Sequence, residues 1–291
     1  MSRTSRGREL SLAVARALQE DRFGHDRTTR ALRLGTRPVV ARITAQRAGV
    51  LSGIVPARLA ARLGHVRVIR SLRDGDRVRP GTEVMRLRGT AGQILGVERT
   101  VLNYLMHLSG VASATARALR AVRGAHPPLE IWGTRKTLPG LRDLEKEAIV
   151  HGGGRPHRRD LQETILVKGT HLSLLPLPKV LARLPRGRGA TVKGEVEVRT
   201  TREALRAARA GVRTLLIDNA GPARARAIVE RLKKEGLRRP VWIELSGGIT
   251  PENAGRYARV GANALSLGSV THSSPALPFH LEILTSARPS P

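Results

Sequence analysis

Polar side chains that could bind ligands or take part in catalysis recur in this sequence at the ends of short apolar runs. The apolar runs of the second half are Leu129–Trp132, Thr164–Val167, Thr191–Val198, Thr214–Ile217, Val241–Leu245 and Ala264–Leu267. The polar groups at or just after their ends are Thr134-Arg135-Lys136, Lys168, Glu195 or Glu197, Asp218-Asn219, Ser246-Gly247-Gly248 and Gly268. Because parallel α/β folds place active sites at the carboxyl ends of their strands, these groups predict one shared pocket.

The cations of this set predict an anion-binding floor. Its candidates are Arg135, Lys136, Arg158 and Lys168, with His157 and His171 as further members. Arginine binds a carboxylate through two parallel hydrogen bonds, so such a floor suits a small polyanion. The alternative for each cation taken alone is a solvated loop charge, which is common in so basic a chain.

Two carboxylates and a glycine pair complete the predicted pocket. Glu197 and Asp218 suit ribose hydroxyls or Mg2+, a cation that takes oxygen ligands and often bridges to phosphates. Gly247-Gly248 precedes a helix predicted over Pro251–Val260, with Thr250 as N-cap, and backbone N–H groups at a helix start bind phosphate. Taken alone, the glycine pair is commonly a plain turn, and Glu195 and Glu197 share one strand face.

The elements that must position these residues follow two different sequence patterns, one in each half of the chain. After Pro128, apolar runs alternate with helical stretches, which predicts βα units and a parallel sheet, either closed as a barrel or open and doubly wound. The predicted helices are Leu141–His151, Thr201–Ala210, Pro222–Glu235 and Pro251–Val260.

The first half reads as a small α+β domain around an antiparallel sheet. Its predicted elements are a helix over Arg8–Glu20, strands over Val39–Ala45, Val66–Arg70 and Glu83–Arg88, and a short helix over Pro56–Leu63. A long helical pattern over Gly96–Arg123 then leads into the second domain as one or two helices, interrupted at Ser109-Gly110. We predict domains over residues 1–110 and 111–271, with residues 272–291 as a segment that can return to the first domain.

Composition excludes several protein classes. A chain of 291 residues with 40% hydrophobic residues is long enough for a sizeable core, and it holds no apolar run long enough for a transmembrane helix. It has no cysteine, which excludes disulfides and thiolate metal sites and fits a reducing cytoplasm. The basic start of the chain does not resemble a secretory signal. We therefore expect a cytoplasmic protein without a membrane segment.

The net charge of +29 favours anionic partners but does not choose among them. Arginine supplies 45 of the 52 cations, a bias that the coding DNA can produce without functional demand. The chain has only six aromatic residues, and its basic residues are spread rather than clustered, so nucleic acid is a poor candidate partner.

Several motifs together resemble the quinolinate phosphoribosyltransferases, also called carboxylating nicotinate-nucleotide pyrophosphorylases. They are Glu98-Arg99-Thr100, Thr134-Arg135-Lys136-Thr137, Glu145-Lys146, Gly152-Gly153-Gly154 with His157-Arg158, Glu195-Val196-Glu197, Leu216-Ile217-Asp218-Asn219, Ser246-Gly247-Gly248-Ile249 and Ser266-Leu267-Gly268. They keep the family order, and the resemblance extends from about Glu20 to the end of the sequence.

The resemblance implies an N-terminal α+β sandwich-like domain followed by an incomplete α/β (TIM-like) barrel. It implies a homodimer or a hexamer of dimers with shared active sites, where Arg99 reaches the pyridine dicarboxylate in the partner's site. For the site itself it implies three groups of residues. Thr134, Arg135, Lys136, His157, Arg158, Lys168 and His171 would hold quinolinate, Glu197 and Asp218 the ribose and Mg2+ of phosphoribosyl pyrophosphate, and Ser246, Gly247, Gly248, Ser266 and Gly268 its 5′-phosphate.

The implied reaction converts quinolinate and phosphoribosyl pyrophosphate to nicotinate mononucleotide, CO2 and pyrophosphate in NAD biosynthesis. Lys136, Glu197 and Asp218 are its candidate catalytic residues, and Mg2+ is the implied cofactor.

Two alternatives stay open. The family's usual Lys-Asp-Asn-His block reads Lys168-Gly169-Thr170-His171 here. This favours a paralogue acting on another aromatic acid, as in the branch associated with molybdenum-transport operons, although Lys168 and Leu144-Glu145-Lys146 favour the quinolinate branch. The second alternative is a non-catalytic relative that binds nucleic acid through its cationic surface.

Overall fold

The computed structural model describes residues 3–187 and 192–284, which form two compact units. The first unit takes in residues 3–113 and 274–284, and the second takes in residues 114–273. Thr191 of the predicted third run and residues 285–291 of the predicted returning segment lie outside the described residues.

The first unit is built around a four-stranded antiparallel sheet. Its strands and helices are α1 (Arg3–Glu20), α2 (Arg27–Ala31), β1 (Pro38–Ala45), β2 (Gly49–Val50), α3 (Ile54–Leu63), β3 (Arg67–Ser71), β4 (Arg77–Val78) and β5 (Glu83–Thr90). A strand from the end of the chain, β12 (Phe279–Leu284), pairs with β1, and the strand order is β12-β1-β5-β3. Alternate residues Ala41, Ile43 and Ala45 of β1 are buried, as expected for a sheet covered on one face.

A single helix, α4 (Ala91–Ala121), replaces the one or two helices predicted over Gly96–Arg123. Ser109 does not interrupt it, because its hydroxyl bonds to another segment: Oγ accepts from the Ser52 N–H at 2.9 Å and donates to the Ser52 carbonyl at 3.0 Å. Gly110 provides space, since a Cβ there would lie 2.5 Å from the Pro275 carbonyl oxygen. Ser109 and Gly110 therefore allow the segments of Ser52 and Pro275 to pack closely against an unbroken helix.

The second unit contains a six-stranded, wholly parallel sheet. Its strands are β6 (Glu130–Trp132), β7 (Leu166–Val167), β8 (Val192–Val198), β9 (Val212–Asp218), β10 (Trp242–Ser246) and β11 (Ala264–Ser266). The spatial order is β6-β11-β10-β9-β8-β7. The first strand thus pairs with the last, and the first and second strands are the two edges. This order is consistent with an α/β barrel left open between its first two strands, the architecture that the family resemblance implies.

Helices connect these strands as the βα alternation predicted. They are α5 (Arg142–His151), α6 (Gly169–Leu174), α7 (Leu177–Arg183), α8 (Thr201–Arg209), α9 (Pro222–Lys234) and α10 (Ser269–His272). Thr200 begins α8 with a reciprocal capping pair, in which its hydroxyl accepts from the Glu203 N–H and the Glu203 carboxylate accepts from the Thr200 N–H. Among the described helices, none is both long enough and apolar enough to cross a membrane.

The predicted helix over Pro251–Val260 is wrong. Only a short 3-10 turn forms, over Ala254–Tyr257. The predicted start does form, since the Asn253 side chain accepts from the Thr250 N–H and the Ala254 N–H donates to the Thr250 carbonyl, both at 2.9 Å. The chain does not continue as an α-helix, and the Arg256 N–H instead donates to the carbonyl of Asn253, three residues earlier, at 3.0 Å. The positive helix end expected behind Gly247-Gly248 is therefore absent from this part of the described chain.

Candidate active site

A cavity of about 290 Å³ opens at the carboxyl ends of the parallel strands. Every strand of the sheet brings a residue to it from its end or from the loop that follows. The lining residues are Thr134, Arg135, Lys136, His157, Arg158, Leu166, Lys168, Glu197, Leu216, Asp218, Glu244, Ser246 and Ser266. Cations and carboxylates thus meet in one concave site, as the strand-end pattern predicted.

Two arginines form the basic part of the cavity. Among the described residues, no group accepts a hydrogen bond from the buried Nε of Arg135. Arg158 is held by donation from Nη1 to the Thr164 carbonyl at 3.1 Å, and burial, together with the charge of Arg135, lowers its pKa. Two neighbouring guanidinium groups with unmet hydrogen-bonding capacity are suited to a dianionic ligand.

Lys146 fixes the two loops that carry these cations. Its side chain is 1% exposed, and Nζ donates to the carbonyls of Thr134, at 3.4 Å, and of Pro156. Burial lowers the pKa of Lys146 to about 8. The ammonium therefore ties the loop of Arg135 to the loop of Arg158 from below the cavity.

A buried group of one imidazole and two carboxylates lies beneath the ligand space. His157 Nε2 lies 3.3 Å from Glu244 Oε1 and 3.7 Å from Glu195 Oε2, and the Glu244 carboxylate also accepts from the Ser266 hydroxyl. Burial, followed by the charge of Glu244, raises the pKa of Glu195 to about 8. At neutral pH the Glu195 carboxyl therefore holds a proton.

The hydrogen bonds of His157 fix its tautomer. The Arg158 backbone N–H donates to Nδ1 at 2.6 Å, so the ring proton of the neutral imidazole sits on Nε2 and faces the carboxylates. The three side chains lie close enough to share a metal ion. The tautomer opposes this, since a proton occupies the nitrogen that would bind the ion. The group is better described as a buried cluster around a protonated Glu195.

The carboxylates of Glu197 and Asp218 converge on one cationic atom. Arg199 Nη2 lies 3.3 Å from Glu197 Oε1 and 3.5 Å from Asp218 Oδ2. Both acids are largely buried at the ends of β8 and β9. The donor set of two convergent carboxylate oxygens fits a divalent cation of the Mg2+ type as well as it fits a guanidinium.

Family models match nearly all of the chain. The model described as quinolinate phosphoribosyl transferase, C-terminal domain, matches residues 111–282, and the corresponding N-terminal domain matches residues 26–109. The chain belongs to the quinolinate phosphoribosyltransferase family.

Curated relatives and solved structures agree with this membership. A protein of Archaeoglobus fulgidus named probable nicotinate-nucleotide pyrophosphorylase (carboxylating) is 38% identical over 249 residues, covering 86% of this chain and 96% of its own. The human nicotinate-nucleotide pyrophosphorylase (carboxylating) is 35% identical, with 87% and 85% covered. The crystal structure of NadC from Streptococcus pyogenes superposes with a TM-score of 0.81 at 30% identity, covering 98% of this chain and 99% of that one.

The structure of this family member brings ten of the predicted site residues together. They are Thr134, Arg135, Lys136, His157, Arg158, Lys168, Glu197, Asp218, Ser246 and Ser266. His171 lines an adjoining cavity of about 550 Å³ instead, and its Nδ1 accepts from the Lys168 N–H at 2.8 Å. Arg99 lies on α4 within the first unit and does not line the cavity.

The predicted phosphate glycines do not line this cavity either. Gly247 and Gly248 both have positive φ, and a Cβ on Gly247 would overlap the Asn219 side chain. A Cβ on Gly268 would lie 2.9 Å from Lys136 Cδ. Gly247 and Gly268 therefore let the strand-end loops approach one another closely, whereas a Cβ on Gly248 would meet no neighbouring atom within 4 Å.

Sequence reasoning did not include Glu244, Leu166 and Leu216 among the site residues. Glu244 lines the cavity from within an apolar run and is 1% exposed. A carboxylate inside a buried strand was the available signal, because such a charge requires partners. Leu166 and Leu216 carried no signal that distinguished them from core residues.

Proposed function

We propose that this protein joins quinolinate to phosphoribosyl pyrophosphate, yielding nicotinate mononucleotide, CO2 and pyrophosphate for NAD biosynthesis in the cytoplasm. The observation that carries the proposal is the single cavity in which a cationic side faces a pair of convergent carboxylates. Membership of the quinolinate phosphoribosyltransferase family supports the same reaction.

The cationic side would hold the two carboxylates of quinolinate. Arg135, Arg158 and Lys168 supply the charge, and Thr134 and Lys136 line the same wall. His157 would contribute its ring rather than a hydrogen bond, since both of its nitrogens already face protein groups. Leu166 and Leu216 offer apolar contact to a flat aromatic ring.

The carboxylate side would hold phosphoribosyl pyrophosphate. Glu197 and Asp218 would bind the ribose hydroxyls and, largely through the substrate, Mg2+. Ser246, Ser266 and the loops of Gly247, Gly248 and Gly268 would receive the 5′-phosphate. When bound, the metal would supply positive charge to the leaving pyrophosphate.

The chemistry then follows from positioning and charge. Departure of pyrophosphate leaves positive charge on the ribose C1, which Glu197 and Asp218 stabilise while the cations hold the pyridine nitrogen in line. Bond formation makes the ring a pyridinium, which stabilises the electron pair left on C2 when the 2-carboxylate departs as CO2, and a proton from water then takes the vacated position on C2 to give nicotinate mononucleotide. Lys136, in the loop that follows β6, would offset the negative charge of the departing groups.

We also propose a homodimer or a hexamer of dimers in which Arg99 completes a partner's site. Arg99 is exposed on α4, so its guanidinium is available to a second copy of the chain. Size measurement in solution and loss of quinolinate binding in Arg99→Ala test this arrangement.

A product assay tests the function directly. Purified protein, phosphoribosyl pyrophosphate and Mg2+ are incubated with quinolinate or nicotinate in parallel, and nucleotide and CO2 are measured. Nucleotide and CO2 from quinolinate support the proposal. Silence with both acids refutes it and favours another aromatic acid, the alternative suggested by Gly169-Thr170 beside the cations.

A further inference from the structure

Arg199 already occupies the place where the proposed function puts a divalent cation. One nitrogen of its guanidinium contacts both Glu197 and Asp218, at 3.3 and 3.5 Å. The side chain is 59% exposed, whereas both carboxylates are largely buried. An exposed cation is therefore paired with two largely buried anions.

Gly169 makes the room for this arrangement. A Cβ at position 169 would lie 2.9 Å from Glu197 Oε1 and 3.0 Å from Arg199 Nη2, both closer than ordinary van der Waals contact. Any residue larger than glycine would therefore displace the guanidinium or the carboxylate. The φ of Gly169 lies outside the left-handed region, so the requirement for glycine here is one of space.

The backbone of Arg199 is held independently of its side chain. Its N–H donates to Glu203 Oε2 at 2.7 Å, and its carbonyl accepts from the Arg224 guanidinium. The side chain can therefore leave the carboxylates without movement of β8 or α8.

We propose that Arg199 is a resident cation that competes with divalent metal for Glu197 and Asp218, and that Gly169 permits this competition. The inference rests on the assignment of these carboxylates to metal in the proposed function. Metal binding must break both ion pairs before the carboxylate oxygens are available. Removing the guanidinium leaves two adjacent anions unpaired, which favours a divalent cation.

Binding of Mn2+ alone to the full, ligand-free chain tests the inference, with free Mn2+ followed by electron paramagnetic resonance. Glu197→Gln, made alone and in each variant, defines the binding that does not involve this site. Loss of two partly exposed ion pairs predicts that Arg199→Ala binds Mn2+ about 3- to 30-fold more tightly than the unchanged chain. The matched control Arg202→Ala removes the same charge from an exposed position on α8 and is expected to change the affinity by less than about twofold.

Arg199→Met tests the same inference if Arg199→Ala does not fold. It keeps a long side chain but removes the positive charge, so it is expected to tighten Mn2+ binding as well. Equal Mn2+ affinities in Arg199→Ala and Arg202→Ala would overturn the inference. If Glu197→Gln does not weaken Mn2+ binding even in Arg199→Ala, the assignment of metal to these carboxylates in the proposed function is what fails.

Discussion

Replacing Glu195 by glutamine tests the buried cluster around Glu195. Glutamine has the shape of a protonated glutamate and needs no proton to stay neutral. Glu195 is 6% exposed, and burial beside Glu244 raises its pKa from the ordinary 4.5 to about 8. The substitution therefore removes a titration while leaving the packing nearly unchanged.

The sign follows from linkage. The folded protein binds the Glu195 proton more tightly than the unfolded chain, so ionisation of this group costs stability as pH rises from about 4.5 to about 8. Across this pH range the ionisation of Glu195 lowers the unfolding free energy by about 5 kcal/mol, at 1.36 kcal/mol per pH unit. We expect Glu195→Gln to lie within about 1 kcal/mol of the unchanged protein at pH 5 and to exceed its unfolding free energy by about 3–4 kcal/mol at pH 8.

Urea unfolding followed by tryptophan fluorescence measures the unfolding free energy of the second unit, which contains Glu195. The protein has two tryptophans, Trp132 and Trp242, with ring centroids 6.0 Å apart in the second unit. Glu230→Gln on the exposed face of α9 is the matched control and is expected to leave the pH dependence unchanged. A stability difference for Glu195→Gln that stays constant from pH 5 to pH 8 would refute the raised pKa of Glu195.

Three further perturbations probe other parts of the molecule. Arg135→Ala is expected to lower kcat/KM for quinolinate by about 100-fold or more, because a desolvated charge partner is lost, whereas Arg202→Ala should leave it unchanged; near-normal turnover in Arg135→Ala would contradict the site assignment. The lowered pKa of Lys146 predicts that unfolding free energy rises by about 3 kcal/mol from pH 8 to 10.5, and this rise should vanish in Lys146→Met. Ser109→Ala removes both bonds to Ser52 and is expected to cost about 1–3 kcal/mol in chemical denaturation, and a loss under 0.5 kcal/mol would speak against that pairing.

Most of the fold prediction rests on the spacing of the apolar residues along the sequence. Strands β6 to β11 were anticipated because buried parallel strands are short, nearly continuous apolar runs. Helices α5, α8 and α9 were also anticipated, whereas α6 and α7 between β7 and β8 were not. The order of the strands in space was beyond periodicity, since periodicity does not report which strands pair. The prediction over Pro251–Val260 is correct only for the turn at its start, because capping signals mark where a helix begins and not how far it continues.

Residues at strand ends could be predicted to share one cavity, because their position follows from the fold. Arg135, Lys168 and Asp218 lie in the cavity because they sit at strand ends, which the sequence reveals. Pairwise geometry inside the site was beyond sequence reasoning. Neither the approach of Arg199 to Glu197 nor the tautomer of His157 follows from spacing, because both depend on where side chains from different strands meet in space.

The pairing of β12 with β1 has a consequence for synthesis of the chain. The outer edge of β1 stays unpaired until the ribosome has translated the whole second unit, whose strands are contiguous in sequence. During that interval an exposed strand edge can recruit a wrong partner. Arg42 on β1 places a charge on that edge, and it acquires its partner, Glu282 at 2.8 Å, only when β12 arrives. The charge of Arg42 therefore disfavours wrong pairing of the nascent edge, and the same charge forms an ion pair with Glu282 once β12 has paired correctly.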